Sequence, residues 1–280
     1  MVRESLARKF HPAGFEQPEG SRQNYIKPSP ELYEAFYSWL EGLPNVEFDI
    51  NDCEFDKSEI AKEQYIKALR YIDQIGEIPY REANSLLVDF KPKTKAEKNI
   101  GLFISACYNR SPEQVIIFDM NLPEIRGIGY CLEGNRVLIN NGEAGLWFGA
   151  RSYGVVVNNG KTEKGFSWRC YVNGAFCESF SGIAINNGDV GDFFGYKSSG
   201  KILISLNGWA TCEAPTKTET ILHLSSPKLI PNLKQYLEEL SEITRNIKDE
   251  ESARKFIERY GIGGEKIEPE VKDILKKKRI

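Results

Sequence analysis

The sequence predicts an α+β protein in which a central right-handed parallel β-helix is flanked by helical N- and C-terminal segments. Two observations predict this fold. Apolar residues recur at helical spacing toward both ends of the chain, whereas short β-branched runs closed by Asn or Gly fill the middle. Within the middle, one sequence unit recurs with Asn-Asn-Gly at the same place each time. We therefore divide the chain into a mainly helical segment 1–110, a β-helix 111–225 and a helical segment 226–280.

Helix-capping signals are frequent in the first segment. Ser29 is a suitable N-cap residue, and Pro30 suits the first helical position. Thr94 followed three residues later by Glu97 forms a capping box. These signals and the apolar spacing predict helices from Ser29 to Gly42, from near Asp56 to Gly76, over residues 79–87 and from Thr94 through Cys107. In the third segment they predict helices over residues 233–247, 250–260 and 269–278.

The middle segment contains two closely matching units. Residues 137–149 read VLINNGEAGLWFG, residues 183–195 read IAINNGDVGDFFG, and residues 155–160 (VVVNNG) form a partial third copy. Asn and Gly tolerate left-handed backbone angles, so Asn-Asn-Gly predicts a sharp bend after each strand. The recurrence predicts stacked coils with two short strands per unit, such as 137–139 and 147–148, and an asparagine ladder at one corner. An antiparallel sandwich or barrel is the alternative, because Asn-Gly also closes hairpins.

One stretch of the repeat follows the pattern G-(D/N)-x-G-(D/x)-x-x-G, then small residues and G-x-(I/V)-x-(I/V). It comprises residues 187–195 (NGDVGDFFG) and 198–204 (SSGKILI). This stretch resembles the glycine-repeat β-helix at the C-terminal end of the glutamate synthase large subunit, and a similar repeat in a subunit of formylmethanofuran dehydrogenase. Residues 143–157 meet the pattern less completely, and residues 161–174 depart from it. The resemblance implies a structural, inter-domain element and transfers no reaction.

The overall composition argues against several classes of protein. The 280 residues have a formal net charge of −3, which gives no basis for binding nucleic acid. No apolar run approaches the ~20 residues of a membrane span, and residues 1–20 lack the apolar stretch of a secretory signal. We therefore expect a soluble, cytoplasmic protein. Abundant Lys, Glu and Ile, with only two His and two Met, are typical of thermophilic proteins.

We expect neither a metal ion nor a cofactor. The six cysteines contain no Cys-x-x-Cys pair and match no zinc framework, so free thiols are expected. The spacing leaves open whether Cys170 and Cys177 lie close in space. No Walker motif is present, and Gly127-Ile128-Gly129 lacks the third glycine of a dinucleotide-binding loop.

The candidate ligand-binding residues are Arg151, Trp168, Arg169, Asp189 and Asp192. The first three lie in less regular stretches, where binding residues concentrate, and the two aspartates follow the last Asn-Asn-Gly. Carboxylates in a groove can bind sugar or act as an acid/base pair, although an acid after Asn-Gly is also ordinary turn chemistry. Aromatic residues that recur with the repeat are expected inside: Trp147, Phe148, Phe193 and Phe194.

No set of residues completes a catalytic site, so the predicted function is non-enzymatic. We predict a scaffold or assembly module that presents a flat β face to another protein chain or to its own copy. One alternative is a carbohydrate-active or carbohydrate-binding protein that uses a groove over Arg151, Trp168, Arg169 and Asp189. The other is an accessory subunit of a glutamate-synthase-like metabolic complex, which follows from the resemblance alone.

Overall fold

The computed structural model describes residues 26–44, 55–88, 90–145, 147–162, 182–190, 202–205, 220–224, 226 and 229–277. These residues form an α+β fold with seven α-helices and ten parallel strands. The helices are α1 (Pro30–Glu41), α2 (Phe55–Ile75), α3 (Tyr80–Val88), α4 (Gly101–Asn109), α5 (Pro231–Arg245), α6 (Glu250–Tyr260) and α7 (Ile267–Lys276). Short 3₁₀ turns cover Glu97–Ile100 and Ile262–Gly264.

The strands alternate between two sheets. The larger sheet has the order β1-β3-β5-β7-β9-β10, and the smaller has the order β2-β4-β6-β8. The larger sheet contains β1 (Val115–Phe118), β3 (Val137–Asn140), β5 (Val155–Asn158), β7 (Ile183–Asn186), β9 (Ile202–Ser205) and β10 (Thr220–His223). The smaller contains β2 (Asn121–Leu122), β4 (Glu143–Ala144), β6 (Lys161–Thr162) and β8 (Asp189–Val190). Each Asn-Asn-Gly therefore turns the chain from the larger sheet into the smaller one.

The predicted capping hydrogen bonds are present, although the helix predicted from Thr94 is a 3₁₀ turn over Glu97–Ile100 followed by α4 from Gly101. The Ser29 hydroxyl accepts a hydrogen bond from the Leu32 N–H, and Pro30 occupies the first turn of α1. The N–H of Glu97 donates to Thr94 Oγ1 and the Glu97 carboxylate accepts from the Thr94 N–H, as a capping box requires. Gly76 ends α2 with a left-handed φ of 98°. The apolar face of α1 is buried, as its spacing predicts.

The prediction of a central right-handed parallel β-helix is wrong. The strands form two flat parallel sheets, and the described residues contain no closed or solenoid β-helix. The repeat predicts in-register stacking because each unit offers the same residues to its neighbours. Stacking of this kind does not require the chain between units to close into a coil, and two parallel sheets joined at a bend satisfy the same pattern. The antiparallel alternative is also wrong for these strands, since every described pairing is parallel.

The second strand of each unit lies earlier than predicted. The chain pairs at Glu143–Ala144, directly after the bend, whereas Trp147 and Phe148 lie in turns and Trp147 has a left-handed φ of 70°. Both aromatic side chains are nevertheless buried, as the repeat predicts. Phe193 and Phe194 lie outside the described residues, as do Cys170 and Cys177.

The glycine of each bend is required by close packing and not by a left-handed backbone. Gly142, Gly160 and Gly188 do not have positive φ angles. They lie above one another, and a Cβ on Gly160 would overlap the carbonyl oxygen of Gly142. A Cβ on Gly188 would overlap the carbonyl oxygen of Gly160 in the same way. Glycine here allows adjacent backbones to approach each other.

One hydrophobic core joins the helices to the larger sheet. The core includes one residue of each of β1, β3, β5, β7, β9 and β10 at the same register position: Ile117, Ile139, Val157, Ile185, Ile204 and Leu222. Helix α3 caps the β1 edge, where Asn84 Nδ2 donates to the Ile117 carbonyl at 3.0 Å. In the described part of the chain, no helix combines the length and hydropathy that a membrane span needs.

Candidate functional site

Two ladders of asparagine side chains run across the bends between the sheets. In the inner ladder, Asn140 Nδ2 donates to Asn158 Oδ1 at 2.8 Å, and Asn158 Nδ2 donates to Asn186 Oδ1 at 2.9 Å. All three residues are fully buried. A buried amide is costly unless it is hydrogen-bonded, so each residue depends on its neighbours in the ladder. The predicted asparagine ladder is therefore confirmed, between neighbouring strands of a flat sheet.

The outer ladder runs in the opposite direction along the next residue of each unit. Asn187 Nδ2 donates to Asn159 Oδ1, and Asn159 Nδ2 donates to Asn141 Oδ1, both at 2.8 Å. Opposite directions make the amide dipoles of the two ladders oppose each other. Together the ladders link β3, β5 and β7 at the bend through side chains as well as through the backbone.

Helix α5 and the residues after it cover the outer ladder. Asn159 Nδ2 donates to the Thr244 carbonyl at 2.8 Å, and Asn187 Nδ2 donates to Thr244 Oγ1 at 2.9 Å. Ser241 Oγ donates to Asn187 Oδ1 at 3.0 Å, and Asn141 Nδ2 donates to the Ile247 carbonyl at 2.7 Å. This contact between distant parts of the chain holds the bends rigidly in place. The rigidity extends to the two-residue strands that follow directly.

A groove open to solvent, with a volume of about 430 Å³, lies beside these bends. Amides, backbone, one carboxylate and one ammonium group line it, from Asn121, Asn141, Gly142, Glu143, Asn159, Gly160, Lys161 and Gly188. The lining is mainly polar, and the glycines leave backbone groups uncovered by side chains. Such a surface can form hydrogen bonds with a ligand but offers little apolar area.

The smaller sheet carries one polar residue per strand at matching register positions. In strand order these are Asn121, Glu143, Lys161 and Asp189, which we call the charged row. Asn121 is exposed, the Lys161 side chain is 61% exposed and the Glu143 side chain is 30% exposed. Lys161 Nζ lies 2.8 Å from Glu143 Oε1. The charged row is therefore acidic, basic and acidic in turn after Asn121.

In β4 and β6 the other residue of the strand points inward. Ala144 and Thr162 are 1% and 2% exposed, respectively. Because successive side chains of a strand point to opposite faces, burial of these two residues places Glu143 and Lys161 on the outer face. Strands β4 and β6 thus bury Ala144 and Thr162 and present Glu143 and Lys161 toward solvent.

The structure places only part of the predicted ligand site. Arg151 is 7% exposed, and its Nη1 donates to Tyr130 Oη at 2.9 Å. Arg151 also has a left-handed φ of 57° and does not line the groove. Asp189 is the first residue of β8, and Trp168, Arg169 and Asp192 lie outside the described residues. Arg151 and Asp189 are thus not brought together in the groove.

Arg151 instead belongs to a buried cluster between the helices and the turns. Its guanidinium lies 5.5 Å from the Tyr130 ring centroid, and that ring packs edge-on against Tyr65. Burial raises the pKa of the Tyr65 hydroxyl, which accepts a hydrogen bond from Asn109 Nδ2. These contacts suit the cluster to holding the turns in place. In the described part of the chain, no three His, Cys, Asp or Glu side chains are arranged to hold a metal ion.

Sequence reasoning missed Asn121 and Lys161. The signal for Lys161 was present, because Glu143, Lys161 and Asp189 each follow an Asn-Asn-Gly directly. The prediction included the acids Asp189 and Asp192 but not Lys161, the base that lies between Glu143 and Asp189 in the charged row. No sequence signal identified Asn121, because Met120 stands where the other units have glycine.

Comparisons with protein-family models, curated proteins and solved structures found no match to this chain. The resemblance of residues 187–204 to the glycine repeat of glutamate synthase therefore stays a prediction. The class that the fold itself defines is an α+β protein with two parallel sheets joined at asparagine-rich bends.

Proposed function

We propose that this protein is an assembly module that binds another protein chain through the outer face of its smaller sheet. The observation that supports this proposal is the charged row, whose residues occupy successive register positions beside an open groove. Neighbouring strands are ~4.8 Å apart, so the row presents side chains at regular, short intervals. A regular row of mixed charge is suited to recognising a complementary row on a partner.

The outer face is rigid before it meets a partner. The bend that precedes each strand is fixed by the two asparagine ladders, and α5 fixes the outer ladder in turn. A surface that is already ordered loses little conformational entropy on binding, which favours association. The hydrogen-bonded bends therefore favour binding through the short strands that follow them.

The charged row is expected to supply specificity and speed of association more than affinity. Charges across an interface steer encounter and penalise wrong partners, while exposed ion pairs contribute only ~0.2–1 kcal/mol each. Screening by salt shortens the range of these interactions to ~3 Å at 1 M. Binding through this face should therefore weaken as salt is added.

Charge reversal at Lys161 tests the proposal. The full chain is immobilised as bait in a native lysate of its source, and the captured proteins are compared for wild type, Lys161→Glu and Lys255→Glu. Lys255 on α6 is a matched control, because it is 69% exposed and lies 2.9 Å from Glu251. We expect wild type and Lys255→Glu to capture the same proteins and Lys161→Glu to lose them, since the row becomes uniformly acidic.

The same comparison can overturn the proposal. If the three baits capture the same proteins, the charged row takes no part in binding. If wild type captures nothing that an unrelated protein does not, the module has no partner chain in that lysate. Circular dichroism of each variant verifies that the substitutions leave the fold intact, as their exposure leads us to expect.

A second candidate function is binding of carbohydrate, favoured by the polar lining of the groove. Amide and carboxylate groups match the hydroxyls of a sugar as donors and acceptors, and the bend glycines expose backbone groups.

We expect a neutral oligosaccharide ligand to shift the amide NMR signals of Gly142, Gly160 and Gly188, and Asn121→Ala to weaken these shifts. Asn135→Ala, an exposed change in a turn outside the groove lining, should leave them unchanged. Absence of shifts at these glycines across a panel of such sugars would exclude this function.

A further inference from the structure

We infer that the partner chain is a second copy of this protein, bound face to face around a two-fold axis between Glu143 and Lys161. This inference rests on the proposed function and names its partner. Read in reverse, the charged row is Asp189, Lys161, Glu143, Asn121. Two copies placed in opposite directions therefore put Glu143 of each against Lys161 of the other.

The outer positions also match in this arrangement. By register, position 121 of each copy comes opposite position 189 of the other, so a neutral residue faces an acidic one. No position in the row then faces a like charge. An isologous interface requires this kind of self-complementarity, and two-fold dimers are the commonest closed assemblies.

Other registers of the two rows are disfavoured by charge. An axis through Lys161 would place the two Lys161 ammonium groups against each other and would oppose Glu143 with Asp189. An axis through Glu143 would place the two Glu143 carboxylates against each other. Because both neighbouring registers bring like charges together, charge selects the register with the axis between Glu143 and Lys161. Other interfaces also use repulsion to discriminate between alternatives.

The face is open and flat enough for a second copy. Asn121 is exposed, more than half of the Lys161 side chain is exposed, and the smaller sheet is flat. The existing contact between Lys161 Nζ and Glu143 Oε1 shows that both charges already point along the row. On association each charge gains a further opposite charge from the other copy, so Glu143 and Lys161 of the two copies form a closed array of four alternating charges around the axis.

Sedimentation velocity of the full chain at low salt tests the inference with paired charge reversals. The proteins are wild type, Glu143→Lys, Lys161→Glu, an equimolar mixture of these two variants, and the double variant E143K/K161E. In a two-fold dimer each single substitution acts twice and turns two attractive pairs into repulsive ones. We therefore expect the dissociation constant of each single variant's dimer to be at least about tenfold higher than that of wild type.

The mixture is the decisive sample. Glu143→Lys has a row with two lysines and Lys161→Glu has a row with two glutamates, so one copy of each restores both attractive pairs. We expect the mixture to form a heterodimer at concentrations where each variant alone is mostly monomeric, and the double variant to dimerise like wild type. Recovery in the mixture also shows that both variants are folded. A mixture that stays monomeric, or single variants that dimerise as wild type does, would overturn the inference.

Failure of the two-fold dimer can be distinguished from failure of the proposed function. If wild type is monomeric at every concentration while Lys161→Glu still loses partners in the lysate, the second copy is excluded and the assembly module stands with another partner. If wild type is monomeric and capture does not depend on Lys161, both are overturned. Dimerisation that is unchanged by 1 M salt would also contradict an interface built on this row.

Discussion

Replacing Asn158 with alanine is expected to lower the free energy of unfolding by about 3 kcal/mol. Asn158 is the middle member of the inner ladder, accepting from Asn140 Nδ2 and donating to Asn186 Oδ1. Removing its side chain deletes these two hydrogen bonds inside the buried ladder, each with a net value of ~0.5–1.5 kcal/mol. A small cavity adds to the loss. Denaturant unfolding followed by circular dichroism measures the change.

Asn135→Ala is the control for this prediction. Asn135 is exposed in the turn before β3, and substitutions at such positions usually change stability by less than about 0.5 kcal/mol. Equal midpoints for the two variants would show that the inner ladder contributes nothing to stability. A loss at Asn158 of several times the loss at Asn135 would support a ladder that acts as a structural element.

The parallel pairing could be predicted from the sequence because the repeat has a fixed internal register. Ile139, Val157 and Ile185 each precede Asn-Asn-Gly, and in the structure they pair with one another in that order. A strand of four buried residues cannot slip by one position without moving its asparagine out of the ladder. The apolar run and the polar bend therefore specify the same alignment, and the short helices follow from local caps in a similar way.

That the strands form flat sheets and not a closed β-helix could not be predicted, because nothing in the repeat specifies the return path of the chain. Between Ala144 and Val155 the chain passes through turns with left-handed residues at Trp147 and Arg151. This stretch contacts the turn at Cys131, whose N–H donates to the Ala150 carbonyl. Such long-range backbone contacts have no signature in a local pattern. The resemblance to a β-helix family rested on glycine spacing, which reports close packing of backbones and is shared by flat stacked strands.

The candidate site was predicted only in part, because contacts between distant parts of the chain also determine it. The contact of Thr244 with Asn159 and Asn187 joins positions far apart in the chain, and its polar groups give no periodic signal on α5. Arg151 was selected because it lies in an irregular stretch, yet that irregularity reflects a buried packing role against Tyr130. An irregular stretch of sequence indicates an unusual backbone conformation, which can support packing as well as binding.

Gly160→Ala is expected to destabilise the protein as strongly as the loss of the ladder, by about 3 kcal/mol or more. The added Cβ would overlap the carbonyl oxygen of Gly142, a backbone atom that cannot move without disturbing the hydrogen bond from the Lys161 N–H to that oxygen. Overpacking of this kind typically costs ~1–3 kcal/mol when side chains can yield, and backbone yields less. The midpoint of urea unfolding measures the effect.

Gly134→Ala separates this close-packing effect from the general effect of adding a methyl group to glycine. Gly134 does not have a left-handed φ, and a Cβ there would lie 3.8 Å from the nearest atom, the Tyr153 carbonyl oxygen. With room available and an ordinary backbone, alanine should be neutral or stabilising by up to ~1 kcal/mol, because it reduces the entropy of the unfolded chain. Equal stability of the two variants would mean that the bends are not closely packed. Without that close packing, Lys161 and Glu143 would lose the rigid support on which the charged row depends.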